Sequence, residues 1–226
     1  EHMDPSYDSQ NPYEGRDPRM YELVAQNGAW WVYDEQVECW YGGRSGKPQK
    51  NATVTGYYLR KYVDGSTCLK SEFVTSKRHV WNIMRYSEIL LNFAEAMVEA
   101  YGDPNYKDGY PMSAKEAVDI VRSRVHVDMP PFPNNLTLNE FKAKLRNERR
   151  VELSFEDHRF WDIRRWKIAD QTTDIYGVDI TKKEDGSFSY KKVLVEKRIF
   201  KDCMYLYPIP QSERYINPEL EQNPGW

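Results

Sequence analysis

"RNERRVELSFEDHRFWDIRRWK", residues 146–167, decides how the rest of the chain is read. More than half of its residues are charged, and Phe155, Phe160, Trp161 and Trp166 are threaded between them. A solvated helix face has no use for so many rings. A buried helix tolerates so many charges only if they are paired. On one continuous helix, Arg149 and Glu152 are i,i+3 neighbours, as are Glu156 and Arg159, Arg159 and Asp162, and Asp162 and Arg165. His158 and Asp162 are i,i+4. Arginine dominates over lysine, which suits planar, hydrogen-bonded pairing with carboxylates. A catalytic reading needs two carboxylates pushed to different pKa values. Here each acid has an arginine beside it, which holds it ionised. The spacing therefore favours a structural ion-pair network of Arg149, Glu152, Glu156, Arg159, Asp162 and Arg165, with the rings shielding it from water.

This helix begins upstream. Thr137 and Glu140 form a capping box, and Phe141 and Leu145 lie on the apolar side of the helix that follows. Two further helices precede it. In "WNIMRYSEILLNFAEAMVEAYG" (81–102), Ile83, Tyr86, Leu90, Phe93, Ala94, Met97 and Tyr101 recur at three- and four-residue steps. That is one side of an amphipathic helix over 83–101, with Gly102 where a helix-ending glycine belongs. Ser113 and Glu116 make another capping box. It opens a helix over 114–127 with Ala114, Ala117, Val118, Val121 and Val125 on one face. "MPPFP" stops that helix, because proline lacks the helical donor.

Outside 81–169 the chain is different. Residues 1–80 are loop-rich, punctuated at "NPYEGRDPR" (11–19) and "GGRSGKP" (42–48). A short helix is expected over 19–26, ended at Asn27–Gly28, and strand over 53–63. Residues 170–226 open with a β-hairpin over 176–195, turning at Asp185–Gly186. They continue as an extended "YLYPIP" and a short helical turn from Ser212. The architecture expected is mainly α. A tetratricopeptide-like helical hairpin and a long helix pack with a loop-rich region and a small β-hairpin. One such hairpin cannot bury both of its faces, since repeat units of this kind need neighbours.

Composition excludes several classes. Lysine plus arginine number 32 and aspartate plus glutamate 35, well mixed, so no basic stripe for nucleic acid exists. No apolar run approaches the ~20 residues of a membrane span. Cys39, Cys68 and Cys203 are far apart and include no CxxC pair. His2, His79, His126 and His158 are equally scattered, so no metal site is expected. "GGRSGKP" is not a phosphate loop. Its first glycine is one position too close to Gly46–Lys47, and Pro48 stands where Ser or Thr is needed. The loop 103–110 carries two aspartates and reads as a helix–helix connection, with calcium as the competing reading. No cofactor motif is present.

The aromatic segment "GAWWVYDEQVECWYGG" (28–43) is more suggestive. Trp30, Trp31, Tyr33, Trp40 and Tyr41 sit in a glycine-flanked, weakly structured stretch. Flat apolar faces with polar neighbours are how sugar rings and peptide side chains are held. The same rings would equally close a satellite core under a long loop. Trp30, Trp31, Trp40 and Tyr41 are the candidate ligand-binding residues, on composition alone.

Several motifs in order resemble the C-terminal part of the SusD/RagB family of Bacteroidetes outer-membrane nutrient-binding lipoproteins. They are "NPYEGRDPR" (11–19), "TGYYLRKY" (55–62), "RYSEILLNFAEAM" (85–97), "AVDIVRSRV" (117–125), "ERRVELSFEDHRFWDIRRW" (148–166), "YLYPIP" (205–210) and "NPELEQNPGW" (217–226). Departures are slight: Asp157 where glycine is common, and Trp226 where tyrosine is common. The resemblance implies a non-enzymatic, lipid-anchored cell-surface protein. Such proteins capture oligosaccharides, or peptides in some members, for import through a TonB-dependent transporter. It also implies a longer protein, whose N-terminal part carries the anchor and further repeat helices. A helical-repeat scaffold that binds only protein is the alternative.

Overall fold

The computed structural model describes residues 7–31, 35–67, 72 and 74–226. His2, Tyr33 and Cys68 lie outside the described residues. Helix outweighs strand, and the two strand pairs are small.

The helical half forms as its caps dictate. Helix α2 spans Tyr86–Tyr101 and ends at Gly102, whose left-handed φ of 69° lets its N–H reach Val98 O at 3.0 Å. Helix α3 spans Ala114–Arg122 and α4 spans Leu138–Glu152, each opened by a complete capping box. Ser113 Oγ accepts from Glu116 N–H at 3.1 Å, and Thr137 Oγ1 from Glu140 N–H at 3.3 Å. The core between them is Leu90, Leu91, Ala94, Met97 and Val98 of α2, Ala117, Val118 and Val121 of α3, and Phe141 and Leu145 of α4. Small residues on α3 let its backbone come close to α2.

Four expected core positions face outward, Tyr101 at the end of α2 among them. Ile83 is 89% exposed and Val125 76%. Tyr86 is also exposed. The first helix starts three residues later than periodicity suggests, and the second stops at Arg122. The buried stripe of α2 is thus rotated toward Leu91 and Val98, where α3 and α4 meet it.

The expected single helix over the charged stretch does not exist. Helix α4 ends at Glu152, and α5 begins at His158 and runs to Arg165. Between them Phe155 and Asp157 adopt left-handed φ values of 62° and 63°. Left-handed backbone breaks a right-handed helix and costs a side-chain-bearing residue more than glycine. Asp157 therefore occupies a position that glycine fills without strain.

The loop-rich half has its own smaller core. Helix α1 covers Pro18–Leu23, capped by Asp17. It passes directly into strand β1, Val24–Ala25, which pairs antiparallel with β2, Tyr58–Leu59. The long strand expected over 53–63 is reduced to those two residues. The hairpin is β3, Asp174–Lys182, and β4, Phe188–Lys197, antiparallel with a bulge at Ile175/Tyr176. Ala25, Val37, Cys39 and Ile180 are buried together, and Trp31, Trp40, Tyr58, Val178 and Tyr190 pack around them. Helix α6, Gln211–Ile216, lies in the tail.

The loop over 53–57 presses directly on β3. Val178 N–H donates to Thr55 O at 2.9 Å. A Cβ on Gly177 would lie 2.7 Å from Thr55 Cα, and one on Gly56 2.6 Å from Val178 O. Only glycine permits that approach.

Candidate functional site

The charged residues are the natural first candidates, and the structure gives them long-range partners. Glu152 accepts from Arg19 at 2.8 Å, from Arg124 at 2.5 Å and from Arg85. Glu148 bridges Arg19 and Arg122, both at 2.6 Å. Glu156 takes Arg85 at 2.7 Å and also Lys61. Arg149 reaches across the helix break to Asp162 at 2.7 Å, and Asp162 also accepts from Arg165. Arg165 continues to Glu95. The network ties α1, the 60–62 loop and α2 through α5 into one body.

Of the expected local pairs, only Asp162–Arg165 forms. Arg149 does not meet Glu152, because its guanidinium goes to Asp162 and Asn92 while Glu152 is taken by Arg19, Arg85 and Arg124. His158 lies near Glu88, at 3.4 Å, rather than near Asp162. Arg159 makes no ion pair among the described residues. Partial burial pushes its guanidinium pKa down, and Arg150 beside it adds repulsion. The rings do not shield the network either. Trp161 is 57% exposed, Phe155 and Phe160 are exposed, and only Trp166 engages an acid, donating to Glu95 at 2.7 Å. The pairs are covered by the helices themselves.

These acids are not poised for proton transfer. Burial alone would raise the Glu152 carboxyl, but hydrogen bonds from Arg124, Arg85 and Arg19 outweigh it and bring it down to about 2. Glu156 and Glu95 are likewise lowered despite burial, by Arg85 and Lys61 and by Arg165 and Trp166. A general acid needs its pKa moved the other way.

The aromatic segment divides in two. Trp30 is 64% exposed and Tyr41 68%. Trp31 and Trp40 are half-buried and pack on the smaller core. Trp40 is further held by Gly43, where a Cβ would lie 2.9 Å from the indole, and by Lys182 over the ring at 5.0 Å. The four candidates therefore do not form one surface.

Tyr41 stands at a cleft of about 280 Å³ between the aromatic loop and β3. Its backbone N–H donates to Ile180 O at 2.9 Å, which fixes the loop to the strand. Lys47, Thr53, Val178, Asp179 and Thr181 are among its other lining residues. Lys47 Nζ and Asp179 Oδ1 are 3.2 Å apart and half exposed. A flat ring, a carboxylate that accepts, and an ammonium and hydroxyls that donate are the groups that hold a polyhydroxylated ring. Sequence reading found Tyr41 but not Lys47, Thr53, Asp179 or Thr181. Asp179 lies 132 positions from Lys47, and no local pattern joins them.

Elsewhere, Asp103 turns its carboxylate on Asn105 N–H at 2.8 Å, as a turn-forming aspartate does. No group of three His, Cys, Asp or Glu side chains arranged to hold a metal ion occurs among the described residues. Cys39 and Cys203 are free thiols, and burial raises Cys39 to about 11. No helix among the described residues is long and apolar enough to cross a membrane.

Fold and cleft together define a mainly α protein in which an ion-paired helical body carries a loop-rich half, with an aromatic-edged cleft on its hairpin. The chain belongs to the SusD family, whose model matches residues 1–226. A SusD-like protein of Bacteroides fragilis superposes with a TM-score of 0.76 at 29% identity, covering 96% of this chain and 40% of that one. A SusD superfamily protein of Bacteroides vulgatus has the same fold at a TM-score of 0.58 and 18% identity, covering 97% of this chain and 41% of that one. SusD-like protein P2 of Formosa agariphila is 28% identical over 148 residues, 63% of this chain and 25% of that protein. The chain thus spans a quarter of the curated relative's length and two fifths of the solved structures'.

Proposed function

We propose that this chain is the C-terminal portion of a non-catalytic, cell-surface glycan-binding protein. It captures oligosaccharides and hands them to a TonB-dependent transporter in the outer membrane. Family membership supports the class. The observation that carries the ligand reading is the cleft lined by the exposed Tyr41 and by the Lys47–Asp179 pair. Trp30 offers a second exposed ring nearby in sequence. The arginine-bound carboxylates are in keeping with a protein that binds without breaking bonds.

We assign the α2–α3 hairpin as one tetratricopeptide-like unit. Its Tyr86, Ile89 and Ile120 are exposed, as are Ile83 and Met84 just before α2, in the way a repeat surface is before its neighbour packs on it. The neighbour we propose is the remainder of the same family fold, which carries the lipid anchor.

The test is retention on a panel of plant, algal and host polysaccharides in native affinity gels, comparing the wild type with Tyr41→Ala and Trp30→Ala. Retention that Tyr41→Ala abolishes supports the reading. No retention on any glycan, with binding to peptide or protein instead, would favour a scaffold. Release of shorter sugars on prolonged incubation would make it an enzyme.

A further inference from the structure

The loop that joins α2 to α3 is built around three tyrosines. Gly102 turns the chain out of α2 with its left-handed φ. Asp103 holds the first turn. Its side chain accepts from Asn105 N–H at 2.8 Å, and its backbone carbonyl accepts from Tyr106 N–H at 3.2 Å. In a second turn, Tyr110 N–H donates to Lys107 O at 2.9 Å. The loop so folded lays Tyr106 flat against Tyr101, the last residue of α2. Their ring centroids are 4.0 Å apart and their planes 13° from parallel. Aromatic pairs ordinarily stand about 4.5 Å or more apart. Tyr110 closes the group. Its hydroxyl is 2.7 Å from that of Tyr101, and its ring meets Tyr101 at 5.7 Å and 62°.

The pair is both reachable and held. Tyr106 packs against the helical core, while Tyr101 and Tyr110 are exposed. An oxidant in solution therefore reaches Tyr101, and water takes its phenol proton. The hydrogen bond shared with Tyr110 pushes that phenol above its ordinary value, so it meets the oxidant in its protonated form. Two other close tyrosine pairs, Tyr13–Tyr57 and Tyr13–Tyr190, meet edge-on at 82°. Edge-on rings overlap little. Near-parallel rings at 4.0 Å bring several carbons of one within van der Waals reach of the other.

We propose that Tyr101 and Tyr106 are a site of oxidative cross-linking, at which a haem peroxidase acting with hydrogen peroxide couples the two rings into dityrosine. Each ring gives up one electron and its phenol proton. The two phenoxyl radicals form a carbon–carbon bond between the positions ortho to their oxygens. The hydrogen on each of those carbons then moves to the oxygen of its own ring, which restores aromaticity. The peroxide accepts the two electrons and two protons and leaves as two waters. The new bond ties the end of α2 to the loop and removes freedom from the connection to α3. This does not depend on the glycan-binding reading.

The experiment treats the dilute, folded 226-residue chain with a haem peroxidase and hydrogen peroxide, and follows dityrosine fluorescence and peptide masses. Cleavage before Asp103 and before Asp108 separates Tyr101, Tyr106 and Tyr110 onto three peptides. The expected product is monomeric, and its peptides carrying Tyr101 and Tyr106 stay joined, lighter by two hydrogens. Tyr106→Phe and Tyr101→Phe each keep a ring in place but remove the phenol, so each loses that product. Circular dichroism checks that both variants fold. Unfolding in urea before treatment also loses it, since the stacking is gone. Absence of dityrosine in the folded chain overturns the proposal. So does a cross-link that forms only between chains or at other tyrosines, or one that survives both substitutions.

Discussion

The Arg19 guanidinium donates to Glu152 at 2.8 Å, although 133 positions separate the two residues. Arg19 sits on the short helix of the loop-rich half, and Glu152 is the last residue of α4. Both are buried. Arg19 also holds Asp17 and Glu148, so one guanidinium spans the cap of its own helix and two acids of another. This contact joins the helical core to the segment that carries the aromatic loop. Two consequences of that joint, one of the hairpin and one of the aromatic loop are open to measurement.

Removing a partner from this network strands a buried charge. Glu152→Ala leaves Arg19, Arg85 and Arg124 without their shared acid and is expected to cost about 3–5 kcal/mol. For a chain of this size that is a fall of roughly 10 °C in Tm. Arg149→Ala, which leaves the buried Asp162 with Arg165 alone, acts in the same direction. Arg159→Ala is expected to cost under about 1 kcal/mol, because no carboxylate depends on it. Differential scanning calorimetry on the three variants decides it. An Arg159 variant that melts as low as Glu152→Ala would contradict the pairing described.

Stability should fall in acid over a defined window. The folded Glu152 carboxyl is held at about 2, against an ordinary value of 4.5. Glu156 and Glu95 are displaced the same way. A carboxyl lowered in the folded state binds protons less readily than in the unfolded chain. Its contribution is complete above about pH 4.5 and is lost as pH falls toward 2. Urea denaturation at pH 7, 5.5, 4 and 3 should give nearly equal free energies from these groups at the first two points and a steep drop across the last two. Equal stability at pH 6 and pH 3 would sink the assignment.

The seat of the 53–57 loop depends on a missing side chain. Gly177→Ala places a methyl 2.7 Å from Thr55 Cα and 2.8 Å from Thr55 O. Neither backbone atom can swing aside, so the loop must lift. A cost of about 1–3 kcal/mol is expected from overpacking. The Val178–Thr55 hydrogen bond should open with it, which amide hydrogen exchange at Val178 would report. Unchanged protection there would show that the loop is not seated by this contact.

The tryptophans should separate by role. Trp40 packs on the smaller core between Gly43 and Lys182, so Trp40→Ala is expected to cost about 3 kcal/mol and lower Tm. Trp30 is largely exposed, so Trp30→Ala should leave Tm nearly unchanged. Steady-state fluorescence quenching by iodide gives a second readout, with the Trp30 contribution quenched first. Comparable losses of stability in both variants would mean that Trp30 also packs.

Local signals carried much of the fold. Ser113–Glu116 and Thr137–Glu140 placed two helix starts, Gly102 placed a helix end, and Asp185–Gly186 placed the hairpin turn. Each rests on an interaction within a few residues, so one short window holds all the physics. The ordered motifs from "NPYEGRDPR" to "NPELEQNPGW" were equally legible and pointed to the family. The helix break at 153–157 was not, because left-handed Phe155 and Asp157 are paid for by contacts far along the chain. Arg159 was misread for the same reason. It is spaced like its neighbours, yet the broken helix turns it toward Arg150.

The sequence alone determined where most helices and the hairpin lie, that Glu152, Glu156 and Asp162 are held by cations, and that rings crowd residues 28–43. Only the tertiary structure decided which cation each acid meets, which rings stay in solvent, and that Tyr41 shares a cleft with Asp179. Caps and turns are satisfied by neighbours in the chain, whereas charge pairing and cleft walls depend on where the backbone brings distant segments together.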